Sequence, residues 1–251
     1  MEIKLYLANC QQNPKNCSYP KEVVCSNPDE LKEAIKFDHV GGKFLNGHRS
    51  TTNFLSSNWA ILDCDNDHSD DPKDWITPEN IHEAFEDVAY VLVPSRNNMK
   101  VKNGVSARPR FHLFFLIAEV TDATEYANLK QNIYEMFSFF DKNALDAARF
   151  FFGCDVEVDE IDWHEGPNTI DQIIGLVASV ADTDDTIPQG ERNATLYQYA
   201  TRVLKRYGAT QDAHEAFLVK AEKCDPPLDN TELKSIWKSA LKFYRKISCL
   251  H

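Results

Sequence analysis

No apolar run in this 251-residue chain approaches the roughly 20 residues that a bilayer-spanning helix requires, so no membrane span is expected. The opening stretch, MEIKLYLANC, is too short and too polar for a secretory leader, and a cytoplasmic protein is expected. Close CxxC pairs are missing as well. The seven cysteines, at 10, 17, 25, 64, 154, 224 and 249, are odd in number and scattered, which points to free thiols rather than a disulfide framework. Zinc is not expected on that spacing. P-loop patterns, internal repeats and low-complexity tracts are absent too.

A basic balance is also lacking: the formal net charge is −12, which looks wrong for a protein that handles nucleic acid. The charges are segregated, however. Residues 1–185 carry 16 Lys+Arg against 32 Asp+Glu, whereas residues 186–251 carry 11 against 7. No acid occurs from Val88 to Ala118, the window that holds Arg96, Lys100, Lys102, Arg108 and Arg110. None occurs from His39 to Leu62 either, where Lys43, His48 and Arg49 lie. The mean charge therefore excludes little, because two acid-free windows remain to meet anions.

What is present reads as a sheet domain followed by helices. NPDELKEAIKF has Asn27 as a cap and Pro28 at the first helical position, and TPENIHEAFED repeats that start with Thr77 and Pro78. NWAILDCD, AYVLVPS (89–95) and RFHLFFLI (110–117) read as strands, and AARFFFGC as a further strand or strand end. DATEYANLKQNIYEMFSFF predicts an amphipathic helix with Asp122 and Glu125 as a capping box. NTIDQIIGLVASV has no decisive period. An acidic linker, ADTDDTIPQGER, precedes three helical segments, the first ending at Gly208, with Pro226-Pro227 dividing the second from the third. The expected organisation is an α+β domain over residues 1–185 and a small all-α domain over 186–251.

Four constellations carry chemistry. In WAILDCD, Asp63 and Asp65 lie two apart on a strand and so face the same way. Paired carboxylates repel unless a cation or proton intervenes, and hard oxygen donors on a rigid strand suit Mg²⁺ or Mn²⁺. An ordinary solvated acidic turn is the plain alternative. In SARPRFHLFF, Arg108, Arg110 and His112 recur at spacing two, a row suited to phosphate oxygens, against the alternative of a satisfied histidine in a sheet. In FFDKNALDAARFFFG, Asp141 or Asp146 supplies a third carboxylate, with Arg149 close behind; a turn cap and a surface ion pair are the simpler roles. In GGKFLNGHRSTTNF, the flexible glycines bring Lys43, Arg49 and Asn53 within reach of phosphates or a base.

An apolar strand ending in Asp-x-Asp, then a strand carrying His after small and basic residues, then apolar-Asp, resembles the three-motif order of the archaeo-eukaryotic primase superfamily. The likeness is nearest to primase-polymerases of phages and integrated mobile elements. It implies an RRM-like catalytic sheet domain, with GERNATLYQYA and DNTELKSIWKSALKFY similar to the small helical PriCT-type domain that follows many such cores. It implies further that Asp63, Asp65 and Asp141 are the metal ligands for two Mg²⁺ or Mn²⁺ ions, with Asp146 the competitor for the third place. His112, with Arg149, would contact the incoming nucleotide's triphosphate. Arg110 stands where the family usually has Ser, so a guanidinium is expected to replace that hydroxyl, with Arg108 and Arg49 as further nucleotide-binding candidates.

On this reading the partners are a single-stranded DNA template and NTPs or dNTPs, with a helicase domain or protein as a further possibility. Arg96, Lys100 and Lys102 are expected to track template phosphate. The rival readings are a non-catalytic DNA-binding initiator or loader, and a metal-dependent nucleotide phosphohydrolase.

Overall fold

Capping chemistry and apolar alternation account for most of the elements in the computed structural model, which describes residues 1–102, 104–179 and 186–248. The chain divides into two units, Met1–Asp171 and Gln172–His251. Together they form a mixed α+β structure with antiparallel sheets and, among the described residues, seven α-helices.

In chain order the first unit contains β1 (Ile3–Leu7), β2 (Lys21–Cys25), α1 (Pro28–Ala34), β3 (His39–Val40), β4 (Lys43–Phe44), β5 (Phe54–Cys64), α2 (Pro78–Ala84), β6 (Tyr90–Pro94), β7 (Phe111–Val120), α3 (Ala123–Met136) and β8 (Asp162–His164). The helix α4 (Ile170–Ser179) follows, covering the stretch without a decisive period. The start of the acidic linker, residues 180–185, lies outside the described residues. Asn27 accepts a hydrogen bond from the Glu30 amide, and Thr77 forms a reciprocal capping box with Asn80, so both helices begin at the expected prolines. Asp122 accepts from the Thr124 and Glu125 amides and starts α3.

Two sheets build the unit. The larger runs in the order β4-β5-β7-β6-β8 and the smaller in the order β2-β1-β3. The core of the larger sheet is β7, paired antiparallel with β5 on one side and β6 on the other. Side chains alternate across it. Trp59 and Ile61 of β5, Phe114 of β7 and Val91 and Val93 of β6 join Ile3, Leu5 and Leu7 of β1 in one buried cluster with α1. On the other face Phe115 meets Phe85, which in turn meets Phe137, both at ring distances of 4.8 Å, under α2 and α3. Three-layer burial of this kind leaves the strand ends, not the strand faces, open to ligands.

Two expectations change here. AARFFFGC forms no strand of its own; only Phe151 pairs, in a single bridge to His39. The segment is held by side-chain packing of its phenylalanines and not by a ladder. Strand β5 starts at Phe54, four residues before the expected Asn58, because β4 pairs with its first turn of residues.

The second unit contains β9 (Ile187–Pro188), α5 (Arg192–Tyr207), α6 (Gln211–Ala221), β10 (Cys224–Asp225) and α7 (Asn230–Ser248). Its three helices bury a shared stripe that includes Leu196, Ala200, Leu204, Phe217, Ile236 and Ala240. Gly208, at φ +73°, ends α5 in a conformation that disfavours any side chain. The unit is not helix alone: the two-residue strands β9 and β10 pair in parallel, because the chain on either side of α5 and α6 runs side by side.

Candidate functional site

The register of the larger sheet creates the site. Asp63, one residue before the end of β5, is the direct cross-strand partner of His112, the second residue of β7. Both continue the buried row of Trp59, Ile61 and Phe114, so the strand pair carries them to the sheet's open end on one face. His112 Nε2 lies 2.9 Å from Asp63 Oδ1, and Arg149 Nη2 donates to Asp63 Oδ2 at 3.2 Å. The histidine's approach is close but poorly aligned, and Oδ1 has no aligned hydrogen-bond donor. Asp63 is only 7% exposed. Burial alone would raise its pKa, but His112 and Arg149 outweigh burial and hold the carboxyl below the usual range.

Arg149 is aimed at Asp63 by a pinned loop. Arg49 Nη1 donates to the Ala148 carbonyl at 2.8 Å while its guanidinium covers the Phe150 ring. The buried Lys130 Nζ donates to the Asp146 carbonyl at 3.3 Å, and Asp146 Oδ1 accepts from the Ala148 amide. Desolvation pushes the Lys130 ammonium down to about 8, with Asp146 and Asp63 opposing. Arg49 and Lys130 therefore shape the segment that presents Arg149. His39 lies beneath, stacked on Phe114 and Phe151, and desolvation pushes it down to about 4. His112 packs edge-on against the same Phe151 ring at 4.9 Å.

Asp65 stands just beyond the strand end and already has a cation. Lys102 Nζ lies 2.5 Å from its Oδ2, and Arg110 Nε approaches its Oδ1 at 3.9 Å. Arg110 is fully buried; its Nη1 donates to the Lys100 and Asn97 carbonyls at 2.9 and 3.3 Å. Arg108 is used differently. Its guanidinium sits inside the acidic loop after β5, donating to the carbonyls of Asn66 and Ser69 and to Asp70 and Ser106. With Trp75 beneath it at 5.1 Å, Arg108 is the hub around which that loop folds. Asn66 completes the loop by donating to Ile76 and Pro109 carbonyls and accepting from the Ile76 amide.

Asp141 is anchored beside the site through its backbone: its amide donates to the Asp63 carbonyl at 2.8 Å. Its carboxylate caps the following turn, accepting from the amide and side chain of Asn143. Asp146 faces the Ala148 amide instead. Asp63, His112 and Arg149 thus meet at one strand end, with Asp141 joined to Asp63 through the backbone, while Asp65 turns to Lys102 and Arg110. Among the described residues no three His, Cys, Asp or Glu side chains gather at metal-binding spacing. Lys100 Nζ donates to the Arg96 carbonyl, and Arg96 Cζ sits over the Phe152 ring, 3.7 Å from its centroid. Asp38, Asn66 and Lys130 are further residues that shape the site. No spacing marks them, because their roles come from burial against distant segments.

No family model matches the chain, and no curated protein does. Among solved structures it is similar to the AEP domain (PP-N190) of the cyanophage S-2L primase-polymerase, PrimPol. That likeness covers 65% of this chain and 84% of the other at 12% identity and a TM-score of 0.35, too slight to carry an argument about function. No helix of the described residues is long and apolar enough to cross a membrane.

Proposed function

We propose that the chain is a template-directed nucleotidyl transferase of the primase-polymerase kind, with an RRM-like catalytic core in its first unit and a small helical domain in its second. The observation that carries this reading is the pairing of Asp63 with His112 across β5 and β7. Two segments far apart in sequence bring an ionised acid and a histidine to one strand end, and a third brings Arg149.

In this reading Asp63 and Asp65 hold divalent ions, with Asp141 as the third carboxylate. The donor atoms are all oxygen, the chemistry that suits Mg²⁺ or Mn²⁺, but among the described residues the three carboxylates are not gathered at metal-binding spacing and Asp63 Oδ1 already faces His112. When bound, such ions would lower the pKa of a primer 3′-hydroxyl and neutralise the leaving pyrophosphate. The chain's own residues do the rest. His112 and Arg149 bind the triphosphate oxygens and orient the α-phosphorus for in-line attack. The hydroxyl oxygen forms the new bond to that phosphorus, its proton leaves to solvent, and the α–β bridging oxygen departs with pyrophosphate. Arg110 and Arg108 act from behind, holding the loops on either side of Asp65. Template phosphate lies along Lys100.

One observation favours a second reading, a non-catalytic DNA-binding module: Lys102 and Arg110 already neutralise Asp65. Primer synthesis on single-stranded DNA, with NTPs or dNTPs and Mn²⁺ or Mg²⁺, separates the two. The catalytic reading predicts oligonucleotides from the wild type and none from Asp63→Asn with Asp65→Asn. DNA binding without product in both proteins supports the second reading.

A further inference from the structure

A cleft of about 820 Å³ opens between the loop after β6 and the segment Gly153–Val156. Its size is that of a small-molecule pocket, for which roughly 300–1,000 Å³ is usual. Two fully buried charges maintain its walls. On one side Asp38 accepts from the Gln12, Asn13 and Gly153 amides, each at 2.8 Å, tying the loop after β1 to the far wall. On the other side Arg110 holds the Asn97 and Lys100 carbonyls, and Asn98 Oδ1 accepts from the Arg110 amide. Burying a charge is costly unless it is paired or hydrogen-bonded; Asp38 is committed to wall backbone, and Arg110 is shared between wall carbonyls and the carboxylates of Asp65 and Asp67.

The lining chemistry narrows the ligand. Arg96 Cζ sits over the Phe152 ring, 3.7 Å from its centroid, and the side chain forms no ion pair among the described residues, so its guanidinium is a cationic platform for a planar ring. Gln12, Asn97 and Asn98 supply carboxamides, which both donate and accept and so match the edge of a base. Lys36, whose ammonium pairs with the exposed Glu33 at 2.7 Å, would exchange that partner for phosphate, and Asp155 and Glu160 can accept from exocyclic amino groups.

We propose that this cleft binds one nucleotide unit, its base stacked on Arg96 and read by the carboxamides, its phosphate held by Lys36. The assignment deepens the nucleotidyl-transfer reading and rests on it for the class of ligand. The unit comes either from a free mononucleotide or from a residue of a single strand, and the chemistry is the same for both.

The test is fluorescence anisotropy in EDTA, which removes divalent ions from the measurement, using fluorescently labelled ATP and a labelled single-stranded oligonucleotide. Wild type, Arg96→Ala and Arg96→Lys are compared, with thermal melts confirming that all three fold. The expected result is wild-type binding weakened roughly tenfold in Arg96→Ala and only partly restored in Arg96→Lys, which keeps the charge but loses the plane. Arg96-dependent binding of labelled ATP identifies a free nucleotide as occupant; dependence seen with the oligonucleotide alone identifies a strand residue. The proposal is overturned if neither probe binds, if Arg96→Ala binds as wild type, or if Arg96→Lys is fully restored. Primer synthesis by a protein whose cleft binds nothing sinks this assignment and leaves nucleotidyl transfer standing. Arg96-dependent binding without chain growth does the reverse.

Discussion

His112 Nε2 lies 2.9 Å from Asp63 Oδ1, and the two residues face each other in register across β5 and β7. Because the pair is set by strand register, a local loop movement cannot separate it. A one-residue slip of either strand would turn that strand's side chain to the opposite face and break the pair. The relationship makes Asp63 both a stabilising and a functional group, and the two can be measured apart.

Asp63 should support folding with a defined pH dependence. Its folded carboxyl lies below the ordinary value of 3.8, so its contribution is full above that value and lost as pH falls through the depressed one. Asp63→Asn should lower stability near neutrality by about 1–3 kcal/mol, since His112 and Arg149 lose their charged partner. It should also flatten the decline of stability below about pH 4. Urea unfolding between acid and neutral pH checks both.

His39 acts in a higher window. Its ordinary value of 6.5 falls to about 4 in the folded chain, so the unfolded chain binds the proton more readily. Stability from the neutral ring is complete above about pH 6.5 and declines as pH drops towards 4, by up to about 3 kcal/mol. His39→Leu should remove most of that slope while wild type retains it, again by urea unfolding.

Gly153 permits a close backbone approach. A Cβ there would lie 2.2 Å from the Lys36 carbonyl oxygen, a backbone atom fixed at the end of α1. Gly153→Ala must push apart the wall that Asp38 ties together, and a loss of about 3 kcal/mol or more is expected. Gly104→Ala has no atom within 4 Å to meet but sits at φ +80°, so it serves as a control for conformational strain alone. Melting temperatures of the two variants should differ, with Gly153→Ala much the lower.

Lys102 competes for Asp65. Their 2.5 Å ion pair is partly exposed, with the lysine side chain 31% and the aspartate 22% accessible, so its strength is modest. Lys102→Ala should bind Mn²⁺ about two- to fivefold more tightly, read by electron paramagnetic resonance without any turnover. Unchanged affinity would mean that the lysine does not hold the metal-binding carboxylate in the resting chain.

The parts legible in the sequence are those whose cause is local. Asn27-Pro28 and Thr77-Pro78 start helices because cap and proline act within one turn. WAILDCD and RFHLFFLI declare strands through apolar runs. The smaller sheet did not show, because β1 and β2 are joined through a long loop and become strands only when paired and buried. The shared facing of Asp63 and His112 was legible, because alternation along β5 and β7 fixes it. The role of Arg108 was not legible, since its spacing suits phosphate equally well. Only the fold of the 66–70 loop around it shows where its guanidinium goes.

The most direct measurement of the central claim is a time course with a single-stranded template, Mn²⁺ and γ-labelled nucleotide, following chain length and released phosphate together. Nucleotidyl transfer at Asp63 and Asp65 predicts labelled pyrophosphate in step with chain growth, and neither product from Asp63→Asn. Labelled orthophosphate without chain growth, or equal chain growth from Asp63→Asn, would contradict it.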